Sequence, residues 1–399
     1  MIDGSGRLRV IERMEATAAL RIVPPIGSPF AEISPVDGRA ATLAALSRAE
    51  LLIADNRYAE AVEALGAVSV PAESNPMLAL RILLDEAWAR MYLGQVERAA
   101  LTLERARILA ESPRFTDVDR ADAMFRLGCC RLKLGKASNA IGLFDSALVL
   151  ASGGGRAGER LSARIFDWRS RCHQLRRDWD AARSDAELGL ELAESIGDTG
   201  LTAHALMQCS LVAERSEDPL LGRFYAERAR TLAVESGDKQ IEARLLNNLG
   251  GLSFLLGEPE TAVRYLKESF TIALEVGNDA DAAQAVSSLA QVHLRSGAPL
   301  LAEEQARHAL SILGEREDYL DERGNVHLVL GRALLALDRG FEALTEFAAA
   351  EWLFLELGSA SHVAAAWLAQ GDAYKGLGEL EPAAALYRRA AEKLQDFNF

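Results

Sequence analysis

The sequence predicts an all-α chain, a right-handed superhelical solenoid of about nine antiparallel helix hairpins. A small residue recurs at Ala61, Ala99, Ala140, Ala182, Gly222, Ala262, Ala302, Ala343 and Ala383. Another stands twelve residues before each, at Ala49, Ala87, Gly128, Ser170, Ser210, Gly250, Ala290, Gly331 and Gly371. Intervals in this second series are 38, 41, 42, 40, 40, 40, 41 and 40 residues, the period of a stacked-repeat array. Apolar residues in each unit fall at helical spacing in two segments, as in Leu245, Leu246, Leu249 and Leu252, then Ala262, Leu266, Phe270 and Ala273. Period-2 alternation, the mark of strands, is nearly absent.

Residues 1–38 precede the array. Pro24, Pro25, Pro29 and Pro35 interrupt any long periodicity there, so the segment reads as an irregular arm with one short helix around Leu8 to Leu20. The solenoid is expected over 39–399. In each unit a turn separates the two helices, as in "LGEPE" from Leu256, with glycine ending the first helix and Pro259 at an early position of the second. The second helices end at "IGD" (Ile196), "SGD" (Ser236), "VGN" (Val276) and "LGS" (Leu357). Glycine there supplies a left-handed C-cap, and the following Asp, Asn or Ser can cap the next helix.

The stretch "ASGGGRAGER" from Ala151 carries Gly153, Gly155 and Gly158 in G-x-G-x-x-G spacing. A pyrophosphate loop requires a strand before it and a helix after it. Here the pattern lies between two helices, in the longest interval of the array, and reads as a lengthened inter-repeat turn; whether that turn is also a flexible joint is left open by the sequence. At the other end "YRRAAEKLQDFNF" places Phe397 and Phe399 beside the carboxylate. Such a tail can cover the last repeat, as solenoids require, or dock in a second copy and produce a homo-oligomer.

The small-residue marks, the turn glycines Gly94, Gly135, Gly257, Gly297 and Gly378, and the aromatics Phe347, Trp367, Tyr374 and Tyr387 resemble tetratricopeptide repeats over Thr42 to Leu394. The ~40-residue period is similar to that of the long-period members in cell-polarity adaptors and bacterial peptide-sensing regulators. Repeat 5 departs with Gly222 in place of alanine, and repeat 1 lacks its leading aromatic. The resemblance implies a binding protein. The helix-turn-helix that many such regulators carry ahead of the array does not fit 38 proline-rich residues.

Composition narrows the chemistry. Lys and Arg number 44 against 58 Asp and Glu, and the formal charge of −14 opposes direct contact with nucleic acid or anionic membrane. No run approaches the ~20 apolar residues of a membrane helix, and the first residues lack a signal-peptide core, so a cytoplasmic location is expected. Cys129, Cys130, Cys172 and Cys209 include no CxxC and read as buried, reduced thiols. The six histidines show no metal-ligand spacing, and neither a nucleophile elbow nor a phosphate loop is present. No enzyme activity, cofactor or metal is expected.

Stacked hairpins offer instead a concave surface lined mainly by the first helix of each repeat. Phased from the small residue, the groove positions are Phe125, Arg126, Arg164, Trp168, Arg171, Gln208, Arg215, Arg244, Asn247, Asn248, Gln284, Arg295 and Arg332. Trp88, Met91, Asp167, His204, Ser288, Gln291 and Asn325 accompany them. Arginine holds a carboxylate by two hydrogen bonds at once, so the expected partner is a protein or peptide with acidic side chains or a free C-terminal carboxylate. Asn247 and Asn248 resemble the groove asparagines with which related repeats clamp a peptide backbone. The expected function is a non-catalytic adaptor. The alternatives are a regulatory sensor that changes conformation on binding a peptide, and a structural accessory subunit of an enzyme.

Overall fold

The structure is a computed structural model and describes residues 35–55, 57–67, 75–314 and 319–395. Residues 1–34 of the arm and the tail Asp396–Phe399 lie outside them. By backbone contacts the chain divides into residues 1–43 and a unit Ala44–Phe399, which holds the hairpins. These are α1 (Pro35–Ala54) with α2 (Tyr58–Gly66), α3 (Pro76–Tyr92) with α4 (Val96–Ala110), and α5 (Asp117–Lys133) with α6 (Ala137–Ala151). Then come α7 (Gly155–Leu175) with α8 (Trp179–Ile196), α9 (Thr199–Arg215) with α10 (Pro219–Ser236), and α11 (Lys239–Leu255) with α12 (Pro259–Glu275). The last are α13 (Asp279–Arg295) with α14 (Pro299–Leu313), α15 (Leu320–Ala336) with α16 (Gly340–Glu356), and α17 (Ala360–Gly376) with α18 (Leu380–Gln395). From α2 onward the helices pack chiefly on their neighbours in sequence, which makes this an all-helical solenoid; no strand occurs among the described residues.

The small residues mark where the two helices of a hairpin meet. A Cβ added to Gly128, Gly250, Gly331 or Gly371 would lie 2.4–2.6 Å from the side chain of Phe144, Leu266, Phe347 or Tyr387. In each pair the large side chain stands four residues after the small residue of the second helix, so it drops into the gap the glycine leaves. Where serine replaces glycine, at Ser170 and Ser210, the corresponding second-helix residues are Ala186 and Ala226, and volume is conserved across the contact. Ser170 Oγ also donates to the Ala182 carbonyl at 2.7 Å. Gly222 has its own cause: a Cβ there would meet Leu252 Cδ2 at 2.9 Å and the Ser210 carbonyl at 3.2 Å.

Turn chemistry follows the sequence closely. Gly94, Gly135, Gly257, Gly297 and Gly378 all have φ between 74° and 83°, and Arg177, Glu217 and Asp338 hold the same left-handed position where glycine is missing. Between repeats, Gly197, Gly237, Gly277 and Gly358 are left-handed. The carboxylates of Asp198 and Asp238 and the amide oxygen of Asn278 each accept a backbone N–H three residues on, at 3.0 Å. Ser359 differs, because its hydroxyl contacts His362 Nδ1 at 2.7 Å and leaves the helix end uncapped.

The glycines from Gly153 to Gly158 form neither a pyrophosphate loop nor a lengthened turn. Only 152–154 separate α6 from α7, and the extra length of the interval lies in α7 itself, which has 21 residues. A Cβ on Gly158 would fall 2.0 Å from the Ala151 carbonyl oxygen, and one on Gly154 2.2 Å from Val118 Cγ2. Gly158 thus permits a close crossing of α6 and α7 and Gly154 a close approach to α5, whereas a Cβ on Gly153 or Gly155 would meet nothing. All four cysteines are buried and free, and burial pushes the thiols of Cys130, Cys172 and Cys209 up to about 12.

Candidate functional site: a basic and aromatic groove

The inner face of the hairpins holds a cavity of about 710 Å³ lined from α3, α7, α9 and α11, among others by Trp88, Tyr92, Arg164, Trp168, Arg171, His204, Arg215 and Arg244. A second cavity of about 290 Å³ shares Met207, Leu211 and Arg244 with it and adds Asn247, Asn248, Ser269, Asp281 and Gln284. The two form one groove. Nine of the thirteen residues phased from the sequence line it: Arg164, Trp168, Arg171, Gln208, Arg215, Arg244, Asn247, Asn248 and Gln284.

Its floor at one end is aromatic. Trp88 lies 6.1 Å from Trp168 and 6.2 Å from Phe125, centroid to centroid. The Arg164 guanidinium rests 4.9 Å from the Phe125 ring and 5.6 Å from Trp88, and that of Arg171 lies 4.9 Å from Trp168. A cation over a ring face is attracted by its quadrupole, which holds these guanidinium groups against the aromatic floor. Phe125 is fully buried beneath this layer and offers no surface of its own. Gln208 is also buried, its Nε2 donating to Ser170 Oγ at 3.4 Å.

The arginines divide into two groups. Arg126 Nη1 donates to the Leu84 carbonyl at 3.1 Å and to Asp85 at 3.2 Å, while its Nε reaches Asp122 at 3.1 Å, so its hydrogen bonds are spent inside the wall. Arg171 pairs with Asp167 at 2.9 Å, and Arg244 Nε with Asp281 at 2.9 Å. Burial pushes the Asp281 carboxyl up, against the pull of Arg244. Arg164, Arg215, Arg295 and Arg332 make no ion pair among the described residues. Arg295 and Arg332 lie outside the two cavities, yet near enough to each other that Arg332's proton affinity is lowered, first by burial and next by Arg295.

Several lining groups retain bonding capacity. Arg171 Nε, Gln174 Nε2 and Asn247 Oδ1 are buried without a hydrogen-bond partner. His204 is held below the ordinary histidine range, chiefly by burial, with Arg244 and Arg171 adding to the effect and Asp167 opposing it. Met91, expected in the groove, is buried in the core, and Tyr92 takes the lining position. The position five after the small residue faces inward here, as it does for Arg215, while the fourth turns under the helix. The same offset in the sequence could have found Tyr92. Nothing local marked Asp281 or Ser269, which arrive from α13 and α12.

Three stretches match tetratricopeptide repeat families: residues 241–315, 122–149 and 364–392. They correspond to hairpins α11–α14, α5–α6 and α17–α18. Among solved structures the chain is similar to a Rap protein complexed with competence and sporulation factor, at 17% identity and TM-score 0.60, covering 90% of this chain and 99% of that one. It is also similar to aspartyl phosphate phosphatase F from Bacillus subtilis, at 15% identity and TM-score 0.55 over 94% and 96% of the two chains. The apo form of RapI matches at 14% identity and TM-score 0.54 over 89% and 98%. At such identities the likeness is one of fold, and it extends over nearly the whole of each chain. With its period, its interlocking small residues and its left-handed turns, the chain contains tetratricopeptide repeats, matched over these three stretches.

Proposed function

We propose that this chain is a non-catalytic adaptor whose solenoid, taken from residue 39 onward with 1–38 as an arm, binds a peptide or protein segment in the groove. The observation that carries the reading is the pairing of cations with an aromatic floor: Arg164 and Arg215 face the larger cavity and have no ion-pair partner among the described residues. In a chain of net charge −14 this is a local reversal of sign, and it selects acidic side chains or a terminal carboxylate. Asn247, Asn248 and Gln284 in the smaller cavity offer amide groups to a peptide backbone. A solved structure of similar fold, a Rap protein complexed with competence and sporulation factor, supports a ligand-binding role.

The test is fluorescence anisotropy with a labelled acidic hexapeptide bearing a free C-terminus. The Arg164→Glu, Arg215→Glu variant is expected to weaken binding at least tenfold, since charge-assisted bonds contribute roughly 1.5 to 3 kcal/mol each. Asn247→Ala should weaken acidic and neutral peptides alike. Equal affinity of wild type and the double arginine variant would overturn the basic-groove reading.

A second reading, a sensor that changes conformation on binding, is favoured by one contact. The turn of repeat 2 lies against repeat 8: a Cβ on Gly94 would stand 3.4 Å from Leu357 Cδ1 and 3.5 Å from Leu320 Cδ1. Hairpins far apart in sequence thus touch, and a ligand that alters the stacking between them bears on that contact.

A further inference from the structure

Within the unit Ala44–Phe399 one edge of the hairpin array meets the other. Asp55 and Tyr58, at the turn of repeat 1, share a cavity of about 510 Å³ with Asn278, between repeats 6 and 7, and with Tyr319, at the start of repeat 8. The turn of repeat 2 lies against repeat 8, where a Cβ on Gly94 would stand 3.4 Å from Leu357 Cδ1 and 3.5 Å from Leu320 Cδ1. The turn of repeat 3 continues the line: a Cβ on Gly358, between repeats 8 and 9, would stand 3.8 Å from Leu134 Cδ2. Successive repeats rotate by a small, nearly fixed angle, so after about six of them the edge of hairpin turns faces the edge of inter-repeat junctions. Unlike a close-packed interior, this seam is loosely filled. A cleft of about 850 Å³ opens beside Gly94, with Arg98 on one wall and Glu356 on the other.

One ionisable group stands inside the seam. Glu322 follows Leu320 by two residues, and Lys133, which acts on it from α5, directly precedes Leu134, so the two leucine contacts bracket the carboxyl. Burial pushes it up to about 7, Asp321 adds to the effect, Lys133 pulls the other way across the seam, and Asp281 of α13 opposes ionisation. Asp281 is itself held by Arg244 at 2.9 Å, and Asp321 stands 3.9 Å from His362 of α17. On the other helices packed against α15, Glu346 of α16 pairs with His327 at 2.7 Å, and Glu303 of α14 with Arg307 at 2.8 Å.

We propose that this seam is a proton-dependent joint, closed while the Glu322 carboxyl is protonated and parting as it ionises. Closing takes the carboxyl out of water, so the closed state keeps a proton that the parted state has released. The advantage of the closed state is full below the ordinary 4.5 and is lost as pH rises through about 7. Helices α3 and α11 line the concave groove from opposite sides of the seam, so parting bears on the width of the groove. The joint itself does not require that the groove take a peptide.

The test is a distance across the cleft, read in the full chain by pulsed electron spin resonance between nitroxide labels on Arg98→Cys and Glu356→Cys. Both positions are exposed, and the exchange of one cation and one anion leaves the net charge unchanged. The four native cysteines are buried with their thiols pushed up, so the labels go to the introduced ones. A closed-state value of about 7 against an ordinary 4.5 raises the ratio of parted to closed molecules about tenfold between pH 6 and pH 8.5. A longer distance should therefore grow in at pH 8.5, with helical circular dichroism unchanged. Adding Glu322→Gln to the labelled chain should hold the short distance at both pH values. Identical distances at the two pH values in the parent would overturn the proposal, as would an equal pH response in the Glu322→Gln chain, which would place the titration elsewhere. A longer distance that came with lost helicity would overturn it too, because the hairpins rather than the seam would have opened.

Discussion

At the scale of single residues the groove works through side chains whose partners are incomplete. Arg126 shows the contrast: with three acceptors already in the wall, it is a strut, whereas Arg164 rests against two rings and makes no ion pair among the described residues. Glu322, at the start of α15, is pushed up to about 7, first by burial and then by Asp321, with Lys133 pulling the other way. Its folded value lies above the ordinary 4.5, so the folded state keeps a proton that the unfolded chain has released. The stabilisation from that proton is full below about 4.5 and is lost as pH rises through about 7. Replacing Glu322 by Gln is therefore expected to raise the thermal midpoint at pH 8 and to leave it almost unchanged at pH 5. Thermal scans at the two pH values check this, and an equal shift at both would show that the titration of Glu322 is not the cause.

At the scale of elements, stability depends on how tightly each hairpin closes. In an ordinary helix interior, glycine to alanine stabilises by about 1 kcal/mol. At Gly331 the sign should reverse, because the new methyl would stand 2.4 Å from the Phe347 ring, and overpacking costs about 1–3 kcal/mol. Gly331→Ala is expected to lower the thermal midpoint, and combining it with Phe347→Leu should restore part of the loss. A midpoint that rises in the single variant would show that the hairpin has room to spare. Much of this level was legible beforehand: the period, the turn glycines and most caps are local signals that need no partner. The reading of Gly153 to Gly158 as a lengthened turn failed because glycine density marks both loose turns and close crossings. Only the position of the Ala151 carbonyl distinguishes the two.

At the scale of the whole solenoid, adaptor and sensor differ in whether stacking changes with occupancy. Small-angle scattering with and without saturating acidic hexapeptide separates them. Superimposable curves are expected for the adaptor, and a shifted curve would assign the chain to the sensor reading. The contact of Gly94 with Leu357 and Leu320 gives this measurement its meaning, since those residues belong to hairpins six repeats apart. A change of pitch accumulates over the intervening repeats and must disturb that contact.

By itself the sequence determined the all-helical class, the repeat and the hairpin turns, because each follows from a periodicity along one chain. Met91 and Tyr92 differ in direction by one helical step, while Phe125 and Arg126 lie within the wall and Arg295 and Arg332 outside both cavities. Only the tertiary structure decided that Arg126 is also spent on Asp85 and Arg244 on Asp281, whereas the pairs Arg126–Asp122 and Arg171–Asp167 lie within one helix at i, i+4. It also decided that Phe125 lies beneath the surface and that the turn of repeat 2 meets repeat 8. The reason is physical: a side chain's charge and size are written in the sequence, but its partners come from other helices, often about 40 residues away, and stacking alone brings them within bonding distance.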